Sequence, residues 1–110
     1  MHNQGDILLI PIPFSDLSSV KKRPVLVLSN NMYNKLTDDI IVVAITSNVG
    51  VKYSEVKLSK ADIINGEIKV DSSIRVDKIY TISQSISIKK LATVSPGKVI
   101  EVKNKFLELI

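Results

Sequence analysis

Residues 23–30 read Arg-Pro-Val-Leu-Val-Leu-Ser-Asn, and the character of the whole chain follows from them. Positions 24–29 are nearly all apolar, which marks a strand covered on both faces rather than one with a wet side. Asn30-Asn31 closes that strand with turn chemistry. A short helical turn is expected over 31–36, with Asp38-Asp39 in the loop that follows. Downstream, residues 40–46 form a second buried run that ends in Thr46-Ser47-Asn48, with Gly50 close behind. Upstream, residues 7–12 form a third. Pro11 and Pro13 are expected to end it, because proline cannot donate to a ladder. Residues 15–22 read as a polar loop.

Beyond these three runs the pattern shortens. Residues 53–58 alternate as a half-exposed strand does. Residues 59–66 are ambiguous, although Asn65-Gly66 suggests a turn. Short strands are expected at 68–70, 73–76 and 78–82, around Asp71-Ser72. A turn and a further strand fit 83–90, with 91–94 following. The period then changes. Ser95 can cap a helix with Pro96 at its first position, and Val99, Val102, Phe106 and Leu109 recur at helical spacing. These features predict a mainly β fold: one domain over 1–110, a strongly curved sheet or small barrel with a C-terminal helix.

The chain has 110 residues, 45% of them hydrophobic, enough for one core. No apolar run is long enough to span a bilayer, and the first residues lack the pattern of a signal peptide. The expectation is a soluble cytoplasmic protein with no membrane role. There is no cysteine and the one histidine is His2, expected to be a solvated terminal residue. Cysteine nucleophiles and zinc sites are thereby excluded, and no metal or cofactor is expected. Net charge is +4 with a pI near 9.4, which suits a polyanionic partner. Among 15 Lys+Arg, only Arg23 and Arg75 are arginine, the side chain whose planar fork matches phosphate.

Polar residues collect in three islands. Lys21, Lys22 and Arg23 precede Pro24, which holds Arg23 toward extended geometry. Thr46, Ser47 and Asn48 offer hydroxyl and amide hydrogen bonds at a strand's end. Asp71-Ser72-Ser73 and Asp77-Lys78 flank Arg75. Each alone reads equally well as a solvated loop, turn or hairpin. Together they would make a phosphate site without metal ligands. Such a site suits RNA, whose own 2′-hydroxyl can attack the neighbouring phosphate, so that the protein need only move a proton and stabilise charge.

The ordered set Gly5-Asp6-Ile7, Pro13-Phe14-Ser15-Asp16-Leu17, Lys22-Arg23-Pro24-Val25-Leu26-Val27-Leu28-Ser29-Asn30 and Ala44-Ile45-Thr46-Ser47-Asn48 resembles the MazF/PemK toxin family. Asp71-Ser72 and Asp77-Lys78-Ile79-Tyr80-Thr81-Ile82 resemble its later blocks. The resemblance implies an SH3-like barrel of bent antiparallel strands. It also implies a metal-independent endoribonuclease toxin acting on single-stranded RNA, a homodimer, and a cognate antitoxin whose tail occupies the RNA groove. By position, Arg23 and Thr46 would be catalytic, with Lys22, Ser47, Ser72, Asp77, Lys78 and Thr81 as RNA contacts. The loop from Leu17 to Lys22 departs from the Glu-Gln-Gly type loop of many members, which bears on the cleavage sequence. Two other readings are open to this barrel: a CcdB-like gyrase inhibitor, and a basic RNA-binding module without catalysis.

Overall fold

The computed structural model describes residues 2–13, 20–50 and 52–110. Among these residues seven strands form one antiparallel sheet: β1 Asp6–Pro13, β2 Val20–Val27, β3 Asp39–Thr46, β4 Glu55–Leu58, β5 Ile63–Gly66, β6 Ser72–Ser83 and β7 Lys89–Val94. Their spatial order is β4-β6-β3-β2-β1-β7-β5. The described residues also form two α-helices, α1 Asn31–Leu36 and α2 Pro96–Leu109. The sheet curls until its edge strands β4 and β5 are joined by a single 3₁₀ turn, Lys60–Asp62, so the barrel is a half-barrel with no ladder across its seam.

The continuous apolar runs have the two covered faces they require. Ile7 and Leu26 face a core that includes Val43, Ile74 and Val94 and is plugged by Val99 and Val102 of α2. Leu8, Val25, Val27 and Val42 face a second cluster on the other side. Neighbours along a strand point to opposite faces, so β1, β2 and β3 can be apolar at nearly every position. The helix begins as its sequence implies: the Ser95 hydroxyl accepts from the Lys98 backbone N–H at 3.3 Å and Pro96 is the first helical residue. Phe106 and Leu109 continue the buried stripe. In α1, Asn30 Oδ1 accepts from the Tyr33 N–H at 2.8 Å.

Several expectations change. Pro11 does not end β1, which stays paired with β2 through Pro11↔Lys22 and has Pro13, opposite Val20, as its last residue. The Leu9 carbonyl accepts from Ile88 N–H at 2.8 Å, on the β7 side of the strand. Polar groups alternate edges along a strand, so Pro11 and Pro13 turn their nitrogens to that same edge, beyond the last β7 pairing at Leu9↔Lys89. No ladder bond is lost. Of the polar loop at 15–22, residues 15–19 lie outside the described residues, and Val20, Lys21 and Lys22 belong to β2. Residues 68–70 are not a strand, and 73–76 and 78–82 are parts of one twelve-residue strand. Asp39 is the first residue of β3. His2 is half-buried, and its backbone N–H donates to Gln84 Oε1 at 3.2 Å.

Asn65-Gly66 is no hairpin turn; it ends β5 against β7. Gly66 has φ +75°, and a Cβ there would lie 2.4 Å from the Leu91 carbonyl oxygen. Only glycine meets both conditions. Strand β6 carries a wide bulge: Val43 pairs with Ile79 while Ala44 pairs with Arg75, leaving Val76, Asp77 and Lys78 between them. Across it Arg75 Nε and Nη2 each donate to an Asp77 carboxylate oxygen at 3.1 Å. Arg75 Nε also lies 3.6 Å from Glu55 Oε2 on the adjacent strand.

Two outcomes follow for stability. Gly66→Ala should destabilise the fold by on the order of 1–3 kcal/mol, the range for a strained backbone site; an unchanged urea midpoint would contradict this. Hydrogen bonds from Arg75 hold the Asp77 carboxyl below the usual carboxylate range. The pair therefore stabilises the fold above the unfolded carboxylate value, about pH 4, and that contribution is lost as pH falls through the lower folded value. Because the pair is solvent-exposed, Asp77→Asn should cost no more than about 1 kcal/mol at neutral pH. Urea titrations near neutrality and near pH 2 should show the difference from wild type vanish in acid.

Candidate nucleic-acid interface

The site begins at Pro24. Leu28 N–H donates to the Ile41 carbonyl at 2.8 Å, so even-numbered residues of β2 turn their backbone polar groups toward β3. Pro24 is in that phase and has no N–H to give. The β2–β3 ladder stops one residue earlier, at Val25↔Ala44. Beyond that point β3 pairs only with β6, through Ile45↔Ile74 and Thr46↔Ser73. The strands part, and a groove of about 550 Å³ lies along the opening.

Its lining comes from six strands, Leu58 of β4 and Ser72 of β6 among them, and from the connections beside them. Strand β2 contributes Lys22, Arg23 and Pro24; β3 contributes Ile45, and Ser47 follows it; β1 contributes Ile7 and Leu9. Lys89, Lys90 and Leu91 come from β7, and Glu67, Ile68, Lys69 and Val70 from the stretch between β5 and β6. The lining thus carries Lys22, Arg23, Lys69, Lys89 and Lys90 against one acid, Glu67. A concave surface with that balance concentrates polyanions. Lys90 is tied to the buried Asp6 carboxylate at 3.4 Å, which also accepts from the Asn3 N–H and the Thr93 hydroxyl.

Paired residues in a sheet share a face. Leu9↔Pro24 and Pro11↔Lys22 place Pro24 and Lys22 over the groove, whereas Arg23 pairs with Ile10 and leaves β2 in the phase of Val25. Arg23 is half-buried and borders the groove from there. Thr46 has the same phase: continuing the Val25↔Ala44 alignment by two residues would set it opposite Arg23. Thr46 is half-buried, does not line the groove, and accepts from the Asn48 N–H at 3.1 Å through its hydroxyl oxygen.

The other expected contacts divide. Lys22, Ser47 and Ser72 line the groove, and the Ser72 hydroxyl donates to the Val70 carbonyl at 3.2 Å. Asp77 and Lys78 lie on the bulge, and Thr81 lies further along β6 opposite Ile41; none of the three lines the groove. Arg75 belongs to the bulge, and one oxygen of its neighbour Glu55 is buried without a partner among the described residues. The groove residues that sequence reasoning passed over are Glu67, Lys69, Lys89 and Lys90. One signal was present, since Lys89-Lys90 precedes the apolar part of β7 as Lys21-Lys22 precedes that of β2. Among the described residues no group of three or more His, Asp or Glu side chains gathers to hold a metal ion, and no helix is long and apolar enough to cross a membrane.

Solved structures share this architecture. A mycobacterial endoribonuclease in complex with its cognate antitoxin superposes with TM-score 0.78 at 19% identity, covering 98% of this chain and 93% of that one. MazF of a MazE–MazF complex from Deinococcus radiodurans gives TM-score 0.79 at 22% identity, with 98% and 94% covered. MazF alone from the same organism gives 0.77 at 23%, again with 98% and 94% covered. These likenesses establish the fold. No curated protein sequence matches the chain. The family match extends over residues 3–110, and the chain belongs to the PemK-like, MazF-like toxins of type II toxin–antitoxin systems.

Proposed function

We propose that the chain is an endoribonuclease toxin that cuts single-stranded RNA without a metal ion, with Arg23 and Thr46 at the scissile phosphate. The observation that carries this reading is the parting of β2 and β3 at Pro24, which leaves Arg23 and Thr46 in one phase beside a cation-lined groove.

The ribose 2′-oxygen attacks phosphorus and gives its proton to water, while the bond to the 5′-oxygen of the next nucleotide breaks and that oxygen takes a proton from Arg23, which regains one from solvent. The products are a 2′,3′-cyclic phosphate and a free 5′-hydroxyl. Charge gathers on the non-bridging oxygens during this step, and fixed donors there stabilise it. The Arg23 guanidinium supplies a planar set of donors and protonates the leaving oxygen; a guanidinium is a poor base, so the acid and electrostatic roles fall to it. The Thr46 hydroxyl oxygen is engaged by Asn48 N–H, which leaves its own hydrogen to donate to the phosphate. Lys22, Ser47 and Ser72 serve as contacts along the groove. Asp77, Lys78 and Thr81 would meet RNA only where it runs past the bulge. A cognate antitoxin, like the one bound to the mycobacterial structure, would silence the toxin by covering the same groove, and the active species would be a homodimer.

Purified protein should cut a long unstructured RNA in excess EDTA and leave cyclic-phosphate ends. Arg23→Ala should lower the rate by at least about 10³-fold and Thr46→Ala by about 10²-fold, as loss of oxyanion donors does, with circular dichroism unchanged. Undiminished cutting by folded Arg23→Ala protein would remove Arg23 from the chemistry.

A further inference from the structure

The groove has one feature that phosphate binding does not explain. Glu67 lies among five cationic side chains, yet it makes no ion pair or side-chain hydrogen bond among the described residues. A carboxylate repels a phosphodiester. An acid kept in a polyanion groove therefore needs a different part of the ligand, one that presents hydrogen-bond donors. In RNA the donors are the 2′-hydroxyl, which offers one hydrogen, and the base edges, which alone can offer two side by side to match both carboxylate oxygens.

The stretch that carries Glu67 is held at both ends. Gly66 packs its backbone against Leu91 and Ala92 so closely that no side chain fits. At the other end Ser72 donates to the Val70 carbonyl at 3.2 Å. Between them Ile68 packs against the main core and, with Leu91, gives the groove an apolar floor. Aromatic residues make up only 5% of the chain, so base stacking on rings has little to draw on. An apolar floor with one acceptor beside it is the alternative.

We propose that residues 67–70 form the base-selecting wall of the groove. The Glu67 carboxylate accepts from the Watson–Crick edge of a guanine lying on Ile68, and Lys69 and Lys89 hold adjoining phosphates. Guanine is the base that fits, because its N1–H and N2 amino group are adjacent donors that match the two oxygens of an ionised carboxylate. Uracil offers a single donor between two acceptors and fits worst. This assignment rests on the RNA-cutting reading and names the base preference of the same groove.

The test uses two readouts. Cut sites are mapped on a randomised RNA for wild type, Glu67→Gln and Lys89→Ala. Affinities are measured in parallel for short 2′-fluoro oligonucleotides, which lack the attacking hydroxyl, with each base in turn at each position. Wild type should favour guanine at one fixed position by about 5- to 150-fold over uracil, the range for one bidentate base contact. Glu67→Gln presents one donor and one acceptor and should move that preference to adenine. Lys89→Ala should weaken all sequences alike and lessen the salt dependence. A preference unchanged by Glu67→Gln, or none for guanine in wild type, overturns the assignment. Guanine-preferring binding without any cleavage would uphold the wall and overturn the proposed chemistry instead.

Discussion

Pro24 has no amide hydrogen to give β3, so the β2–β3 ladder ends at Val25 and Ala44 although both strands run on past it. A missing donor inside a closed ladder would leave a buried β3 carbonyl without its partner. The fold resolves this by separating the strands there and handing the end of β3 to β6, where Thr46 meets Ser73. The groove and its bordering residues follow from that separation. The same proline fixes the backbone next to Arg23, so the arginine is presented from an extended and ordered segment.

The curvature of the sheet has its own causes. Register shifts interrupt the ladders at Ile7/Leu8, Val43/Ala44 and Ile63/Asn65. Each extra residue bends its strand and increases the local twist. The bulge in β6 is held from outside by the fork of Arg75 on Asp77 and by Glu55 across the ladder. The bent sheet brings β4 and β5 close enough for the short turn Lys60–Asp62 to join them. Gly66 then lets β5 lie against β7 and delivers residues 67–70 to the far side of the groove.

Among the described residues Lys98 and Asp6 are buried charged groups that are matched before they leave water, whereas the equally buried Glu55 side chain keeps one oxygen without a partner. Lys98 donates to the Lys57 carbonyl at 2.9 Å and to Glu101 at 2.7 Å, and lies 3.5 Å from Asp62. Asp6 takes Lys90, the Asn3 N–H and the Thr93 hydroxyl. Satisfying every lone pair or proton is what makes such burial tolerable. Lys98 also ties α2 to β4 and to the seam turn, so the helix that fills the core is anchored where the barrel lacks a ladder.

Three buried strands, the short helix capped by Asn30 and the terminal helix capped by Ser95 could all be read from the residues themselves. Periodicity, capping and turn chemistry are local properties, and they act within a few positions of the residues that carry them. Ordered motifs also pointed to Arg23 and Thr46. Tertiary structure alone decided the rest. Whether Pro11 ends a strand depends on which edge its nitrogen faces, and that depends on where β7 stops. Whether Asn65-Gly66 turns the chain or seals it against β7 depends on a carbonyl twenty-five residues away, that of Leu91. That Lys89, Lys69 and Glu67 border the groove of Arg23 follows from strand order, which brings β7 and β5 round beside β1. Strand order and closure arise from contacts between distant segments, and no local pattern encodes them.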